Sequence, residues 1–284
     1  MPTVGYYPGC SLEGTARDYA ASIEGVCGRL GIDLVELDDW SCCGATAAHS
    51  LDHDLAIALP ARNLILAQQQ GLEDLTAPCA LCFNRLKAAE KALQKKASQD
   101  PSAGQGATVR VWDLVEYFSR PEILEEIERR VVRPLEGLRV VCYYGCMVNR
   151  PPKVTDAQAW ENPTNMDRLV QAVGATALDW PFKTDCCGAS HAVARPDLVT
   201  ALVGKLFRRA LDQGANCVVV SCQMCHANLD LYQERIAREQ QLPLPLPVFY
   251  FTDLIGLALG EPSARDWIRR HMVDPEPLLA SVGL

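Results

Sequence analysis

The sequence predicts an α/β chain of two pseudo-symmetric halves, each with a small, mostly parallel sheet flanked by helices. Three observations predict it. Short apolar runs rich in Val and Tyr alternate with helical patterns, the arrangement that favours parallel sheets. The cysteines repeat, as C-x31-CC-x35-C-x2-C in the first half and C-x39-CC-x34-C-x2-C in the second. Their flanks repeat too: "YYPGC" answers "YYGC", "CCGATAAH" answers "CCGASHA", and "APCALC" answers "VSCQMC".

Along the chain, "TVGYYPG" reads as a strand that stops at glycine and delivers Cys10. Cys42 and Cys43 follow in a turn, and Asp52 to Gln70 has helical spacing. Cys79 precedes a second helical stretch, Cys82 to Lys96. The stretch Lys96 to Thr108, "KASQDPSAGQGAT", is polar and Gly/Ser/Gln-rich, hence a surface loop. "TVRVWDLVEYF" is a strand leading into a helix, and "RPLEGL" (Arg133 to Leu138) is the linker. The domains are therefore expected at 1–134 and 135–284.

In the second half "LRVVCYYG" is the strand before Cys146. "NPTNMDRLVQAVGA" is a helix with Thr164 as N-cap and Gly174 as C-cap. Cys186 and Cys187 form the second adjacent pair, Pro196 to Gln213 is an amphipathic helix, and "NCVVVSC" is a buried strand running into Cys222, with Cys225 three residues on. "TDLIGLALG" is apolar on one side, short and without a basic face, so it reads as core packing rather than a membrane-binding helix.

Bulk properties narrow the function. The chain has 284 residues, 49% apolar, enough for a substantial core. Its net charge of −8, with no basic block, makes it a poor partner for nucleic acid. No signal peptide and no apolar run of bilayer length is read from the sequence, so a cytoplasmic location without a transmembrane segment is expected. Thirteen cysteines, an odd number, in a reducing compartment point to metal or redox chemistry. Ten belong to the repeat. Cys27, Cys142 and Cys217 lie in helix or strand patterns and read as buried core.

Open α/β sheets gather ligands at the carboxyl ends of their strands, and each half brings five cysteines to such ends. Tetrahedral zinc uses four ligands, so five leaves one over, twice. Iron–sulfur clusters also take cysteine thiolates, and a fifth sulfur can bridge two irons. The doubled pattern favours an iron–sulfur group over zinc. Gly44 and Gly188 fit a need for positive φ or close backbone approach beside the cluster, and backbone N–H groups there could donate to cluster sulfur.

These motifs, with "ENPTNMDRLVQAVGA" (Glu161 to Ala175) and "LPVFYFTDLIGLALG" (Leu246 to Gly260), resemble the B subunit of heterodisulfide reductase, a family built on the cysteine-rich CCG domain. The resemblance spans nearly the whole chain. It implies two noncubane [4Fe-4S] clusters, each held by five cysteines, one of them bridging. Carried over, Cys10, Cys42, Cys43, Cys79 and Cys82 hold one cluster, and Cys146, Cys186, Cys187, Cys222 and Cys225 the other.

In the archaeal enzymes the substrate is a mixed disulfide that lies between the clusters. The resemblance implies electrons from a ferredoxin-like iron–sulfur subunit and a flavoprotein behind it. In some bacterial relatives the suspected substrate is a lipoate-bound sulfur species. Others are electron-transfer or anchor subunits of an unusual succinate dehydrogenase, and a zinc-stabilised scaffold, or zinc in one of the two sites, is a further alternative. The clusters themselves are the expected catalytic groups. His49, His191 and Lys183 are secondary candidates: either histidine could protonate a thiolate, and Lys183 could favour a reduced cluster or an anionic substrate. Arg150 and Lys153, like Lys183, are otherwise expected as solvated surface.

Overall fold

The computed structural model describes residues 2–99 and 108–284. Strands β1 (Thr3–Tyr6), β2 (Asp33–Glu36), β3 (Asp74–Ala77) and β4 (Arg110–Asp113) form one sheet in the order β2-β1-β3-β4. Strands β5 (Arg139–Tyr143), β6 (Thr176–Leu178), β7 (Cys217–Val220) and β8 (Val248–Tyr250) form another in the order β6-β5-β7-β8. All six pairings are parallel. The α/β duplication expected from the sequence is thus present.

Helices cover the sheets, so the central strands are largely apolar beyond their first residues, Thr3, Asp74 and Arg139 among them. In β7 all four residues, CVVV, are buried, and branched side chains suit such a doubly covered strand. Each sheet changes direction of winding between its two central strands, β1 and β3 or β5 and β7. Cys10 and Cys79 follow the carboxyl ends of the first pair, and Cys146 and Cys222 those of the second. A topological switch point is where neighbouring loops part and leave a crevice.

The halves lock through exchanged helices. Helix Arg17–Leu30 of the first half packs on Phe251–Ala258 and Ala264–Ile268 of the second, and Asn165–Ala172 packs back on Leu114–Phe118. Tyr19 stacks on Tyr250 at 4.0 Å between centroids, and Ser22 Oγ meets Thr252 Oγ1 at 2.6 Å. "TDLIGLALG" falls in this joint: Leu254, Ile255 and Ala258 are buried.

Local details differ from the sequence reading. The helix opened by Cys82 runs Ala80–Gln99, so the first residues of the expected loop are helical, and the rest of that loop, 100–107, lies outside the described residues. Thr164 occupies the N-cap position of Asn165–Ala172 but makes no capping bond. The Tyr144 hydroxyl accepts from Met166 N–H and Asp167 N–H instead, a tertiary cap that sequence spacing does not reveal. Gly174 stands one residue beyond the Val173 cap, at φ +84°.

Candidate metal centre

In the first half, Cys43, Cys79 and Cys82 are buried while Cys10 and Cys42 are exposed. Cys43 Sγ and Cys82 Sγ lie 3.3 Å apart. The Cys82 sulfur keeps a proton shared with Cys43 and Cys79, which pushes its own pKa well up. That hydrogen bond brings Cys79 down to about 6 and Cys43 below the ordinary thiol value. Burial pushes the Cys10 thiol up, and the charge of Cys42 adds to it.

The second half repeats the layout. Cys187, Cys222 and Cys225 are buried, Cys186 is exposed and Cys146 half-buried. Cys187 Sγ and Cys225 Sγ are 3.6 Å apart. Hydrogen bonding to Cys146 brings Cys186 down to about 6, while Cys146 itself is pushed up. Gly188 N–H donates to Cys186 Sγ at 3.3 Å.

The supports are also duplicated. Tyr7 hydroxyl donates to the carbonyl of Ser41 at 2.8 Å, and Tyr143 hydroxyl to that of Asp185 at 2.7 Å, each residue standing just before the cysteine pair. Burial raises both phenols, so they remain donors. Gly44 and Gly188 have φ of +70° and +79°, as the motif required, but a Cβ there would press on helical side chains, Leu59 and Leu202, and not on sulfur. The close approach to sulfur belongs to Gly9 and Gly145, at φ +70° and +71°. A Cβ would sit 3.1 Å from Cys82 Sγ in the first and 3.0 Å from Cys225 Sγ in the second. Sequence reasoning passed over this pair, although the doubled "GC" carried the signal.

The two sites meet across the joint between the halves. Gln223, next to Cys222, lies close enough to Cys79 of the other site to help lower its thiol, although neither of its amide atoms has a hydrogen-bond partner. Asn84, two residues after Cys82, donates to the carbonyls of Met147 and Arg150 beside Cys146, at 2.9 and 3.1 Å. Neither contact between residues so far apart in sequence was anticipated.

His49 is exposed and its Nδ1 lies 2.9 Å from Arg85 Nη1, and His191 is exposed at the end of the short 3-10 turn Ala189–His191. Lys183 corrects the solvated reading: it is 3% exposed, its Nζ 2.9 Å from Asp167 Oδ1 and 3.0 Å from the Pro163 carbonyl. A buried ammonium needs such partners, and the nearby acid was not legible from the motif. Arg150 is exposed, bonded to Thr184 Oγ1 and lying over the Trp160 ring, and Lys153 is exposed. Cys27, Cys142 and Cys217 are buried in helix or strand, and burial raises all three thiols.

Each site therefore offers five sulfurs, three inside and two towards the surface. An all-sulfur set selects soft metals and iron–sulfur groups, and five donors exceed the four of a tetrahedral ion. Among the described residues no three or more His, Cys, Asp or Glu are grouped to hold a single ion. With glycines holding space open against the inner sulfurs, the residues fit an iron–sulfur group of several atoms.

Comparison with known proteins agrees with this chemistry. The model of the CCG cysteine-rich domain matches residues 4–87 and again 140–230. The chain is 31% identical to the 8-methylmenaquinol:fumarate reductase membrane anchor subunit of Wolinella succinogenes, over 96% of this chain and 98% of that one. It is 29% identical to the B subunit of the ferredoxin/F(420)H(2)-dependent CoB-CoM heterodisulfide reductase of Methanosarcina acetivorans, over 82% and 81%. A solved structure, a hypothetical protein from Helicobacter pylori, superposes with a TM-score of 0.74 at 11% identity, over 95% of this chain and 51% of that one. This chain spans about half the length of that structure, and the likeness concerns the fold.

Proposed function

This chain belongs to the CCG cysteine-rich family of oxidoreductase subunits that includes the B subunit of heterodisulfide reductase, and on that premise we propose that it carries two noncubane four-iron clusters and reduces, or forms, a disulfide between them. Cys10, Cys42, Cys43, Cys79 and Cys82 hold one, and Cys146, Cys186, Cys187, Cys222 and Cys225 the other. When bound, each cluster supplies one electron at a time.

The observation that carries the reading is the meeting of the two sites through Gln223 and Asn84. Splitting a disulfide into two thiols consumes two electrons and two protons, and two adjacent one-electron centres match that demand. The chain's own part is to hold the sulfurs, keep Tyr7 and Tyr143 as rigid struts, and leave Cys10, Cys42 and Cys186 open to substrate and partner. The partners are a ferredoxin-like subunit and, behind it, a flavoprotein, in a cytoplasmic complex. A lipoate-bound disulfide is one candidate substrate.

The near full-length match to a fumarate reductase anchor subunit favours a second reading, electron transfer without sulfur chemistry. No helix among the described residues is long and apolar enough to cross a membrane, so attachment on this reading would be peripheral or through a partner. The test is anaerobic. Protein with about eight irons and matching sulfide, once reduced, is mixed with low-molecular-mass disulfides, including lipoamide. Reoxidation with release of two thiols supports the disulfide reading. Reoxidation only through a flavoprotein and fumarate establishes the second. Zinc without sulfide overturns both.

A further inference from the structure

The two cysteine sites share a frame and differ at one matching position. In the first, Cys82 lies in the opening turn of helix Ala80–Gln99, its sulfur 3.3 Å from Cys43 Sγ. In the second, Cys225 lies in the opening turn of helix Gln223–Leu231, its sulfur 3.6 Å from Cys187 Sγ. Three residues further on, the first helix carries Arg85 and the second Asn228. Residues at that spacing share a helix face, so each side chain stands beside the inner sulfur pair of its own site.

Asn228 is 2% exposed, and its Nδ2 donates to the Cys187 carbonyl at 3.2 Å and to Cys187 Sγ at 3.7 Å. It brings a neutral dipole to the second site. Arg85 is half-buried, with its Nη1 2.9 Å from His49 Nδ1, and the His49 N–H donates to the carbonyl of Gly44, next to Cys43, at 3.2 Å. Its Nη2 donates to Asn84 Oδ1, and the Asn84 amide in turn holds the carbonyls of Met147 and Arg150 in the other half. The guanidinium is thus fixed beside the first site by neutral partners, and among the described residues no carboxylate pairs with it. Burial lowers its pKa and the charge of Cys43 works against that, but an arginine stays protonated. Three other cations of these segments are compensated: Arg62 by Asp39, Lys183 by Asp167 and Lys205 by Asp185. Arg150, in the second half, is exposed and lies over the Trp160 ring, where water and salt screen its charge.

We propose that Arg85 sets the first site at the higher reduction potential of the two, so that it takes the first electron and the Asn228 site takes the second. The inference rests on the two-cluster reading. A cation without a carboxylate favours the more negative, reduced state of a group beside it. A neutral amide donor acts in the same direction but more weakly. A one-electron carrier protein is oxidised by one electron for each site that is reduced. The two electrons so stored are the two that a disulfide takes, together with two protons from water, in becoming two thiols. Asn84 ties Arg85 to the joint, so the residue that orders the electrons is also held by the contact between the sites.

The test is a reductive titration of the reconstituted full-length protein, followed by electron paramagnetic resonance, with iron and sulfide measured on every sample. The wild type should show two one-electron transitions. Arg85→Gln is expected to lower the upper one by about tenfold in its equilibrium, about 59 mV for one electron, and to leave the lower one in place. Arg85→Lys, which keeps the charge, should retain most of the potential. Asn228→Ala should move only the lower transition. The idea fails if Arg85→Gln shifts neither transition, shifts the lower one, or shifts the same one as Asn228→Ala. It fails equally if Arg85→Lys falls as far as Arg85→Gln, because charge is then not the cause. Arg85→Met is the independent neutral variant: if both neutral variants lose iron while Arg85→Lys holds it, Arg85 assembles the site and does not tune it. Each of these results leaves the two clusters standing. A wild type that loads no iron and sulfide overturns the two-cluster reading and the order of reduction with it.

Discussion

Ser41 and Asp185 stand at the same place in the two halves, one residue before a cysteine pair, and both carbonyls accept from a buried tyrosine. Around them the halves part. Asn63 clamps Ser41 from both sides, accepting from its N–H and donating to its carbonyl at 2.9 Å each. Asp185 instead pairs with the exposed Lys205 at 3.2 Å, and two residues earlier Lys183 is buried against Asp167. The lesson is that duplication has kept the backbone cradle, with its tyrosine strut, positive-φ glycine and inner sulfurs, while the polar surroundings have diverged. On the proposed two-cluster reading, similar sites in unequal surroundings would suit two electron centres with different tasks.

The strongest way to break this comparison is to empty one site at a time. Cys187→Ala is expected to lower iron and sulfide to about half, and Cys43→Ala to remove the other half. Metal analysis of each purified variant decides it. Loss of nearly all the iron from either change would mean that the two sites assemble as one unit.

Lys183→Met sharpens the difference in surroundings. It leaves Asp167 buried without its cation, so a loss of about 3–5 kcal/mol is expected in denaturant unfolding. Adding Asp167→Leu should restore much of it. An unchanged stability with a shifted cluster potential would instead make Lys183 an electrostatic partner of the second site.

The strand ends offer a third contrast. Asp113 closes β4 and caps Leu114–Phe118, its Oδ2 accepting from Val115 N–H at 3.1 Å. Tyr250 closes β8, and its N–H donates to Asp253. Burial pushes Asp113 up to about 7. A carboxyl raised on folding stabilises fully below its unfolded value of about 4, and that contribution is lost as pH rises through about 7. Asp113→Asn keeps the cap and escapes the loss. Its stability relative to wild type should therefore improve between pH 5 and 8, by roughly 1–3 kcal/mol. Parallel unfolding curves across that range would show that Asp113 ionises freely in the fold.

The smallest effect is expected at the glycines beside sulfur. Gly9→Ala and Gly145→Ala each force a left-handed residue, at about 1 kcal/mol, and each crowds an inner sulfur. Each variant should lose iron faster from its own half under a chelator. Equal loss from both halves would deny the glycines a local role.

Much of this was legible in the sequence because it depends on local spacing. The β–α alternation, the placing of the repeated cysteines just after strands, in turns or in first helical turns, and the burial of Cys27, Cys142 and Cys217 all follow from short-range pattern. The positive φ of Gly44 and Gly188 was readable for the same reason. The family resemblance added what such sulfurs hold, and the family match supports iron–sulfur chemistry in general.

What only the tertiary structure decided lies between residues far apart in the chain. Asp167 as the partner of Lys183, Tyr144 in place of Thr164 as the cap, Gln223 against Cys79, and Arg85 on His49 have no signature in spacing or periodicity. The physical reason is that covalent order fixes which face of a strand or helix a side chain occupies. Which other face it meets is set by the packing of whole elements, and here by how one half of a duplicated chain closes on the other.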